Sequence, residues 1–351
     1  MAERQVDKRH VEPFILLGGV ESGIERYVQR LSFTDSIGGR ADEVTIELDN
    51  REGRFFAAPA YYPPGWLPGY GTELIVRIMA FEPEVGEPGE LSLGIMEVDQ
   101  VELTGFPHVA KIRAITAAMN TNLRRFKRSD NYVNMSLEDI GRKIAEKANI
   151  KYVYDAPSLP KYKRRVQKDK SDLLFLHELC DEAALECKVT NGQLVIFDRR
   201  RYEAKAPLAV LDFDDLGKTP WVHGYALSGI ATEQYAACTV KYYDFESGKV
   251  HRATVANPTW TDGPTLEITR RCDSQAEAET IARNTLWRYR MEAMPATLTL
   301  TGSPALLAGV CLELKNVGEF AMKYMITRAG HDLLDGSGWR VTAEMEPVID
   351  S

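Results

Sequence analysis

The pattern of polar and apolar residues predicts β-strands in several segments between residues 28 and 118, and within residues 43–48 it alternates with the period of two that is typical of a half-buried strand. These segments are residues 43–48, 74–79, 95–103 and 109–117. Clusters of proline and glycine separate them, chiefly at residues 59–69 and 83–89. Strands divided by turn signals at this spacing predict a β-barrel or a β-sandwich.

The pattern takes on a helical period within residues 119–205. Apolar residues recur every three or four positions after Ser136 and again after Ser171, which predicts two helices with serine caps. Ser136 and Asp139 have the spacing of a capping box, with Asp in place of the usual Glu. An Asn-Gly pair at residues 191–192 lies between two apolar runs, the strongest short signal of a hairpin. This part of the chain is therefore predicted to be an α+β insertion.

Residues 206–351 return to a strand-like pattern with one helix embedded at about residues 274–291. Ser274 and Glu277 have the capping-box spacing at the start of that helix. The candidate strands are residues 239–244, 249–255, 296–300, 310–314, 324–327 and 339–345.

A short internal similarity connects the two β regions. Residues 71–76 (GTELIV) resemble residues 309–314 (GVCLEL), and a proline-containing loop precedes each segment. Two further candidate strands follow each segment before its region ends. Either a duplication or a chance resemblance accounts for this pattern, and a duplication predicts that the two regions share a strand order.

Composition narrows the class of protein. The chain has 351 residues, of which 44% are hydrophobic and 27% charged, so it can bury a core and is not typical of disorder. The formal net charge of -8 disfavours a protein that coats nucleic acid. No apolar stretch approaches the length of a membrane helix, and the polar N-terminus lacks the apolar core of a secretion signal. The five scattered cysteines are interpreted as buried, reduced thiols.

One cluster has the residue types of a metal site. His177, Cys180 and Asp181 would share a face of the second predicted helix, at the i, i+3 and i+4 positions. The segment is not the H-E-x-x-H zinc motif, and no second pair of cysteines or histidines has ligand spacing. We therefore interpret these residues as the polar edge of a helix.

An acidic turn offers a second, weaker candidate. Asp212, Asp214 and Asp215 lie close together, with Gly217 after them. A calcium loop needs more oxygen ligands at regular spacing, so a solvated loop is the preferred interpretation.

Basic residues cluster at 124–128, 161–170 and 199–201, with Phe126, Tyr162 and Tyr202 beside or among them. Such clusters indicate a nucleic-acid face, a solvated surface or an interface with an acidic partner, and the negative net charge favours the last two. The phosphate-loop, dinucleotide and nucleophile-elbow motifs are absent from the sequence. The sequence therefore predicts no catalytic, cofactor-binding or metal-binding residues.

Four longer stretches resemble the late control D family of baseplate hub proteins, found in contractile phage tails and related injection machines. They are residues 31–50, 96–107, 166–195 and 300–331. The most specific parts are the Ser-Asp-Leu-Leu-Phe-Leu segment from Ser171 and the Gly-Ser-Pro loop from Gly302 to Gly309. Together these stretches cover nearly the whole chain in the order that the family has them.

The resemblance implies a β-rich α+β fold of two tail-tube-like β-barrel domains, residues 1–118 and 206–351, with an α+β insertion at 119–205. It implies a homotrimer whose six barrels match a six-fold tail tube on one side and a three-fold central spike on the other. Its partners would be the tube, spike and baseplate wedge proteins and, further, the tape measure protein. The protein would lie in the virion tail baseplate, be assembled in the host cytoplasm, and need no cofactor, membrane anchor or stable contact with nucleic acid.

Two other functions remain open from the residues. A cell-wall or polysaccharide binding tail protein would use Tyr152, Tyr154 and Tyr162 of the insertion. A tail-associated peptidoglycan hydrolase would need paired carboxylates in a cleft, for which Glu178 and Glu182 are the candidates. Those two lie one helical turn apart, which is more typical of a solvated helix face.

Overall fold

The computed structural model describes residues 11–21, 23–38, 41–51, 68–81, 87, 89–116, 122–190, 192–219, 221–244, 248–334 and 338–349. Much of the proline- and glycine-rich sequence between the first strands lies outside these ranges, as does Asn191 of the predicted hairpin turn. The described residues are mostly β-structure with few helices, which agrees with the β-rich class expected from the sequence.

In the described residues, the first β region contains seven strands, which include the four candidates from the sequence. They are β1 Val11–Leu17, β2 Val20–Glu21, β3 Val28–Ser36, β4 Glu43–Asp49, β5 Glu73–Ala80, β6 Gly89–Thr104 and β7 Val109–Thr116. In β4 every second residue is buried, because alternate side chains of a strand point to opposite faces of its sheet.

The insertion combines helices with short strands. Its elements are α1 Asn122–Arg125, β8 Lys127–Ser136, α2 Leu137–Ala148, β9 Lys151–Asp155, β10 Lys161–Ser171, α3 Asp172–Ala183, β11 Glu186–Thr190, β12 Gln193–Phe197 and α4 Arg200–Glu203. Strands β8 and β10 form an antiparallel ribbon, and β9 joins the predicted hairpin of β11 and β12. The sequence does not predict strands β8 and β10, because charged residues interrupt the alternation of polar and apolar residues there.

The second β region is interrupted by the predicted helix. Its elements are β13 Ala209–Asp212, β14 Val222–Leu227, β15 Ala237–Asp244, β16 Lys249–Ala256, β17 Thr265–Ile268, α5 Gln275–Glu292, β18 Ala296–Thr301, β19 Cys311–Lys315, β20 Lys323–Leu334 and β21 Gly338–Pro347. Strand β15 lies between β16 and β17 and pairs with both, and this small sheet packs its apolar face against α5. These strands therefore do not join the sheet formed by the other strands of this region, although alternation gives both groups the same signal.

A single sheet of thirteen strands joins the two β regions. Its main path runs β14-β18-β21-β20-β3-β4-β7-β6-β5-β1-β2, and β19 and β13 branch from β20. The buried side chains of both regions form one apolar core, which extends from Leu31 and Ile46 to Leu298 and Val341. The insertion has its own core around α2 and α3. In the described part of the chain, no helix has the length and apolar character needed to cross a membrane.

The start of α2 is fixed by the capping box that the sequence predicts. The Asp139 amide donates a hydrogen bond to the Ser136 hydroxyl at 3.1 Å, and the Ser136 amide donates to the Asp139 carboxylate at 3.0 Å. Both bonds satisfy amides that the first helical turn leaves without an intrahelical partner.

We predict that Ser136→Ala lowers the free energy of unfolding by about 1 kcal/mol, because the Asp139 amide loses its acceptor. Urea unfolding followed by circular dichroism measures the change. Ser158→Ala, at an exposed serine outside the helices, is the matched control and should change stability by less than about 0.5 kcal/mol. Equal stabilities of the two variants would contradict the assigned role of the cap.

Candidate functional site

The two β regions contain the same arrangement of five strands. Across the sheet, the order is β5-β6-β7-β4-β3 in the first region and β19-β20-β21-β18-β14 in the second. All eight pairings are antiparallel. When the five strands of each set are numbered 1 to 5 along the sequence, their order across the sheet is 3-4-5-2-1 in both sets. A duplication requires that the two regions share a strand order, whereas a chance resemblance between residues 71–76 and 309–314 does not.

Two irregularities of each set coincide, although the first set has a further register shift at residues 75–77. The first strand of each set has a register shift, at residues 28–30 and at residues 222–224. The fourth strand of each set has another, at residues 98–100 and at residues 326–328. A bulge changes the face to which all later side chains of a strand point. Because the bulges lie at equivalent positions in both sets, the residues around them can be aligned one by one.

The glycines of the sequence similarity take equivalent positions. The Gly71 amide donates to the Val98 carbonyl at 2.8 Å, and the Gly309 amide donates to the Ile326 carbonyl at 2.8 Å. In each set the strand residue donates back to the carbonyl of the residue after the glycine. Both glycines have positive φ, +80° and +91°, where other residues are strained. The similarity therefore marks the same turn into a strand.

Backbone pairing between β20 and β3 joins the two sets. Residues 328–334 of β20 lie opposite residues 30–36 of β3 in an antiparallel ladder. The Arg30 guanidinium contacts the Asp332 carboxylate at 2.8 Å, and the Ser32 hydroxyl donates to the same oxygen at 2.6 Å. The junction thus combines a continuous ladder with an ion pair specific to these two strands.

A lysine whose side chain is only 15% exposed connects the insertion to this junction. Lys188 of β11 forms ion pairs with Asp35 at the end of β3 and with Asp42, 3.2 Å away. Burial raises the pKa of Asp42 to about 6, although the Lys188 charge opposes the shift. Burial alone would lower the pKa of Lys188, but attraction to Asp35 and Asp42 outweighs it and raises the pKa. The remaining Asp35 oxygen accepts the Ala308 amide at 2.9 Å.

A buried arginine connects the insertion to α5. Arg165 of β10 is 5% exposed and contacts Glu277 at 2.5 Å, with Glu182 of α3 at 3.7 Å. Burial raises the pKa of Glu182 to about 7, against the opposing charge of Arg165.

Arg199 makes a third connection, from the end of the insertion to the main sheet. It contacts Glu203 at 2.8 Å and Glu346 of β21 at 2.7 Å. Its guanidinium also lies 5.6 Å from the centre of the buried Trp287 ring in α5. Three charged clusters therefore fix the insertion against the rest of the chain.

The candidate metal residues of α3 do not form a site. Cys180 is buried in the core of the insertion, while Asp181 faces outward and pairs with Arg288 at 3.3 Å. Burial lowers the pKa of His177. No group of three or more His, Cys, Asp or Glu side chains in the described residues is placed to hold a metal ion.

The acidic turn is stabilised by hydrogen bonds to the side chain of its first aspartate. The Asp212 carboxylate accepts the Asp214 amide at 3.1 Å and the Asn316 side-chain amide at 2.7 Å. Asp212 therefore stabilises the turn after β13 and the neighbouring end of β19.

The carboxylates proposed for hydrolysis bind different cations. Glu178 pairs with Lys170 at 2.5 Å, and Glu182 lies beside Arg165. Each is therefore part of a separate ion pair, which is not the arrangement of an acid and a base that share one cleft.

Two of the three candidate tyrosines for glycan binding share a pocket. Tyr152 and Tyr154 line a shallow space of about 370 Å³ beside α2, while Tyr162 is buried elsewhere beneath Arg165. The complete lining is Glu138, Arg142, Ala145, Glu146, Ile150, Tyr152 and Tyr154.

Comparison with known proteins identifies the family. Residues 95–337, well over half of the chain, match the family described as phage tail baseplate hub (GPD). The chain belongs to this family. The resemblance to the late control D hub proteins is thereby confirmed, and this hub protein is a structural component of a phage tail or related injection system. No curated protein matches its sequence.

Solved structures show the same fold at low sequence identity. The tail protein from Neisseria meningitidis MC58 is 13% identical with a TM-score of 0.73, over 96% of each chain. The 43 kDa tail protein of prophage MuSo2 from Shewanella oneidensis is 14% identical with a TM-score of 0.71, over 95% of the hub protein and 98% of the tail protein. The E. coli c3393 protein, a component of the type VI secretion system, is 13% identical with a TM-score of 0.60, over 96% and 77%.

Most cations of the basic clusters pair with acidic groups of the hub protein itself. The pairs include Arg128–Asp172, Lys127–Asp169, Lys170–Glu178, Arg200–Asp198 and Arg201–Asp155. Such pairing leaves less free positive charge for phosphate groups than the sequence clusters suggest. Absence of stable nucleic-acid binding stays a prediction.

We predict that Lys188→Met lowers the free energy of unfolding at pH 7 by roughly 3 kcal/mol, because it leaves two buried carboxylates without their cation. Chemical denaturation gives the value. Lys111→Met, which removes a half-exposed pair with Glu47 at 2.9 Å, is the control and should cost at most about 1 kcal/mol. A Lys188 variant as stable as the control would show that the buried cluster does not anchor the insertion.

The raised pKa of Asp42 predicts a pH effect of definite sign. Between its ordinary pKa and about 6, the folded chain holds a proton that the unfolded chain has released, so stability falls as pH rises through this window. Asp42→Asn removes this contribution. Subtracting the stability of Asp42→Asn from that of the wild type, measured between pH 4 and 7, should therefore give a difference that decreases with pH. A flat or increasing difference would contradict the burial of this carboxylate.

Proposed function

We propose that three copies of this hub protein form a ring that joins the six-fold tail tube to the three-fold central spike of a contractile tail. The observation that carries the proposal is the repeat within one chain, in which two sets of strands share their order and two register shifts. Three chains would offer six similar units to the tube while remaining three-fold toward the spike. A single chain type could thus adapt one symmetry to the other.

The finer fold belongs to the same proposal. We take residues 1–118 and 206–351 as two tail-tube-like barrel domains and residues 119–205 as the insertion between them. The repeated strand order supports the first two units, and the separate core around α2 and α3 supports the third. The small sheet with α5 is an addition to the second unit, with a core of its own.

The expected partners are the tube, spike, wedge and tape measure proteins of the same particle. Family membership supports a place in the tail baseplate, with assembly in the host cytoplasm. The structure of the E. coli relative is described as similar to the T4 tail proteins gp27 and gp5, which supports a position beside a spike. The role is mechanical and needs no catalysis, a view that the separate ion pairs of Glu178 and Glu182 support.

The pocket with Tyr152 and Tyr154 favours polysaccharide binding as a second candidate function. Aromatic faces beside carboxylates can hold sugar rings. Binding of purified protein to peptidoglycan sacculi, lost in Tyr154→Ala, would support this function. Release of soluble peptidoglycan fragments, lost in Glu178→Gln, would instead support a hydrolase.

We predict that the purified chain has a mass in solution of three times 39.4 kDa at micromolar concentration. Light scattering coupled to size exclusion measures the mass, and electron microscopy of the same fractions should show a three-fold ring. Co-expression with the tube and spike proteins of the same particle should retain both on the ring. A chain that stays monomeric alone and with both partners would contradict the hub proposal.

A further inference from the structure

Among the described residues, two edges of the main sheet lack the partner strand that their counterparts have. In the second set of strands, β20 pairs with β19 near its start and then with β3 along residues 328–334. In the first set, β5 pairs with β6 only as far as Glu97, followed by the bonds from residues 71 and 72 to Val98. Beyond that point, no described strand pairs with this edge of β6. The outer edge of β14, the counterpart of β3, likewise has no described strand beside it.

Exposure along β6 is consistent with a missing strand. The shared bulges align residues 100–104 of β6 with residues 328–332 of β20. Ala329 and His331 are fully buried where β3 covers them. Their counterparts Val101 and Leu103 pack against the same core but are only partly buried. Phe106, in the turn that follows β6, is 91% exposed.

Residues of β14 are likewise more exposed than their counterparts in β3. The shared bulges align residues 30–36 of β3 with residues 224–230. Leu31 and Phe33 are buried where β20 lies beside them. Tyr225, the counterpart of Leu31, is 56% exposed, and Leu227, the counterpart of Phe33, is partly buried. Both open edges therefore carry apolar side chains that the equivalent internal junction buries.

We propose that β14 of one chain pairs antiparallel with residues 100–104 of a second copy, in the register of the internal junction. Internally, Gly330 lies opposite Thr34 and Asp332 opposite Ser32. Replacing each residue by its counterpart places Glu102 opposite Ser228 and Thr104 opposite Ala226 of the partner copy. The same register sets Leu103 against Leu227. This inference rests on the proposed ring of three chains and specifies its contacts.

The pairing satisfies geometric requirements that other registers do not. A shift by one residue would place the apolar face of one strand next to the polar face of the other, because each strand's facing is already fixed within its own chain. Each chain contributes one edge of each kind, so the contact is head-to-tail and can close into a ring. An edge strand that is long and apolar is otherwise a site of uncontrolled association.

Charge distinguishes the two kinds of junction. The internal junction carries the Arg30–Asp332 ion pair. The counterparts of these residues are Gly224 and Thr104, so the junction between chains has no such pair. If β14 of another chain took the place of β3 beside β20, Asp332 would lose its ion pair with Arg30. This loss disfavours pairing of β14 with β20.

Paired cysteines test the register. Glu102→Cys with Ser228→Cys, and Thr104→Cys with Ala226→Cys, should each give covalent trimers on non-reducing gels after mild oxidation. Gln100→Cys with Ala226→Cys is four positions out of register, roughly 13 Å along the strand, beyond the reach of a disulfide. This control should remain monomeric on the gel. The five native cysteines are buried, so they should compete little.

A second pair of variants tests the edge without new bonds. Phe106→Asp changes a side chain that is 91% exposed in the single chain, and it should weaken the trimer about tenfold or more. Val250→Asp changes another exposed apolar residue, 54% exposed in β16 of the small separate sheet, and should leave assembly unchanged. Dilution series in mass photometry give the two dissociation constants.

The outcomes separate the register from the hub proposal. Trimers by light scattering without cross-links in either matched pair would overturn the register and leave the hub proposal standing. Cross-linking of the mismatched pair as fast as the matched pairs would overturn the register as well. Monomers at every concentration, with no cross-links, would overturn both.

Discussion

Backbone pairing between β20 and β3 is the contact on which the rest of the structure depends. An unpaired strand edge exposes amide and carbonyl groups that need hydrogen-bond partners, and each of these strands supplies them to the other. Residues 30 and 332, 302 positions apart in the sequence, meet there in an ion pair. One sheet and one apolar core result from two distant β regions. The internal junction also leaves each chain with one open edge from each set of strands, which makes a ring of copies geometrically reasonable.

Three largely buried cations then fix what is attached to this sheet. Lys188, Arg165 and Arg199 each connect the insertion to a different element: the end of β3, the start of α5 and strand β21. Burial of an unpaired charge costs several kcal/mol, so each cation requires its carboxylates and holds them in a defined position. The insertion is thereby fixed in orientation. A fixed orientation suits a protein whose proposed task is to transmit load between a tube and a spike.

Local chemistry made much of the fold predictable. Ser136, Ser171 and Ser274 all cap helices where their spacing predicts caps, because the cap depends only on residues within one turn. Strands β4 to β7 and β18 to β21 of the main sheet were predicted from the sequence, whereas β1, β3 and β14 were not. Strands β8 and β10 were missed because the buried face of β10 includes Arg165 and Gln167, whose charge and polarity are satisfied by residues far away in the sequence. No local pattern reveals such a partner.

The sequence by itself determined the capped helices, the alternating strands, the family and the repeated glycine turn that first indicated two related β regions. Only the tertiary structure decided which strands meet. It separated β15 and β16 from the main sheet, joined β20 to β3, and brought Tyr152 and Tyr154 together while burying Tyr162 elsewhere. The reason is physical: periodicity records that one face of a segment is buried, and this depends on nearby residues. The choice of partner depends on register, bulges and buried charges contributed by distant parts of the chain.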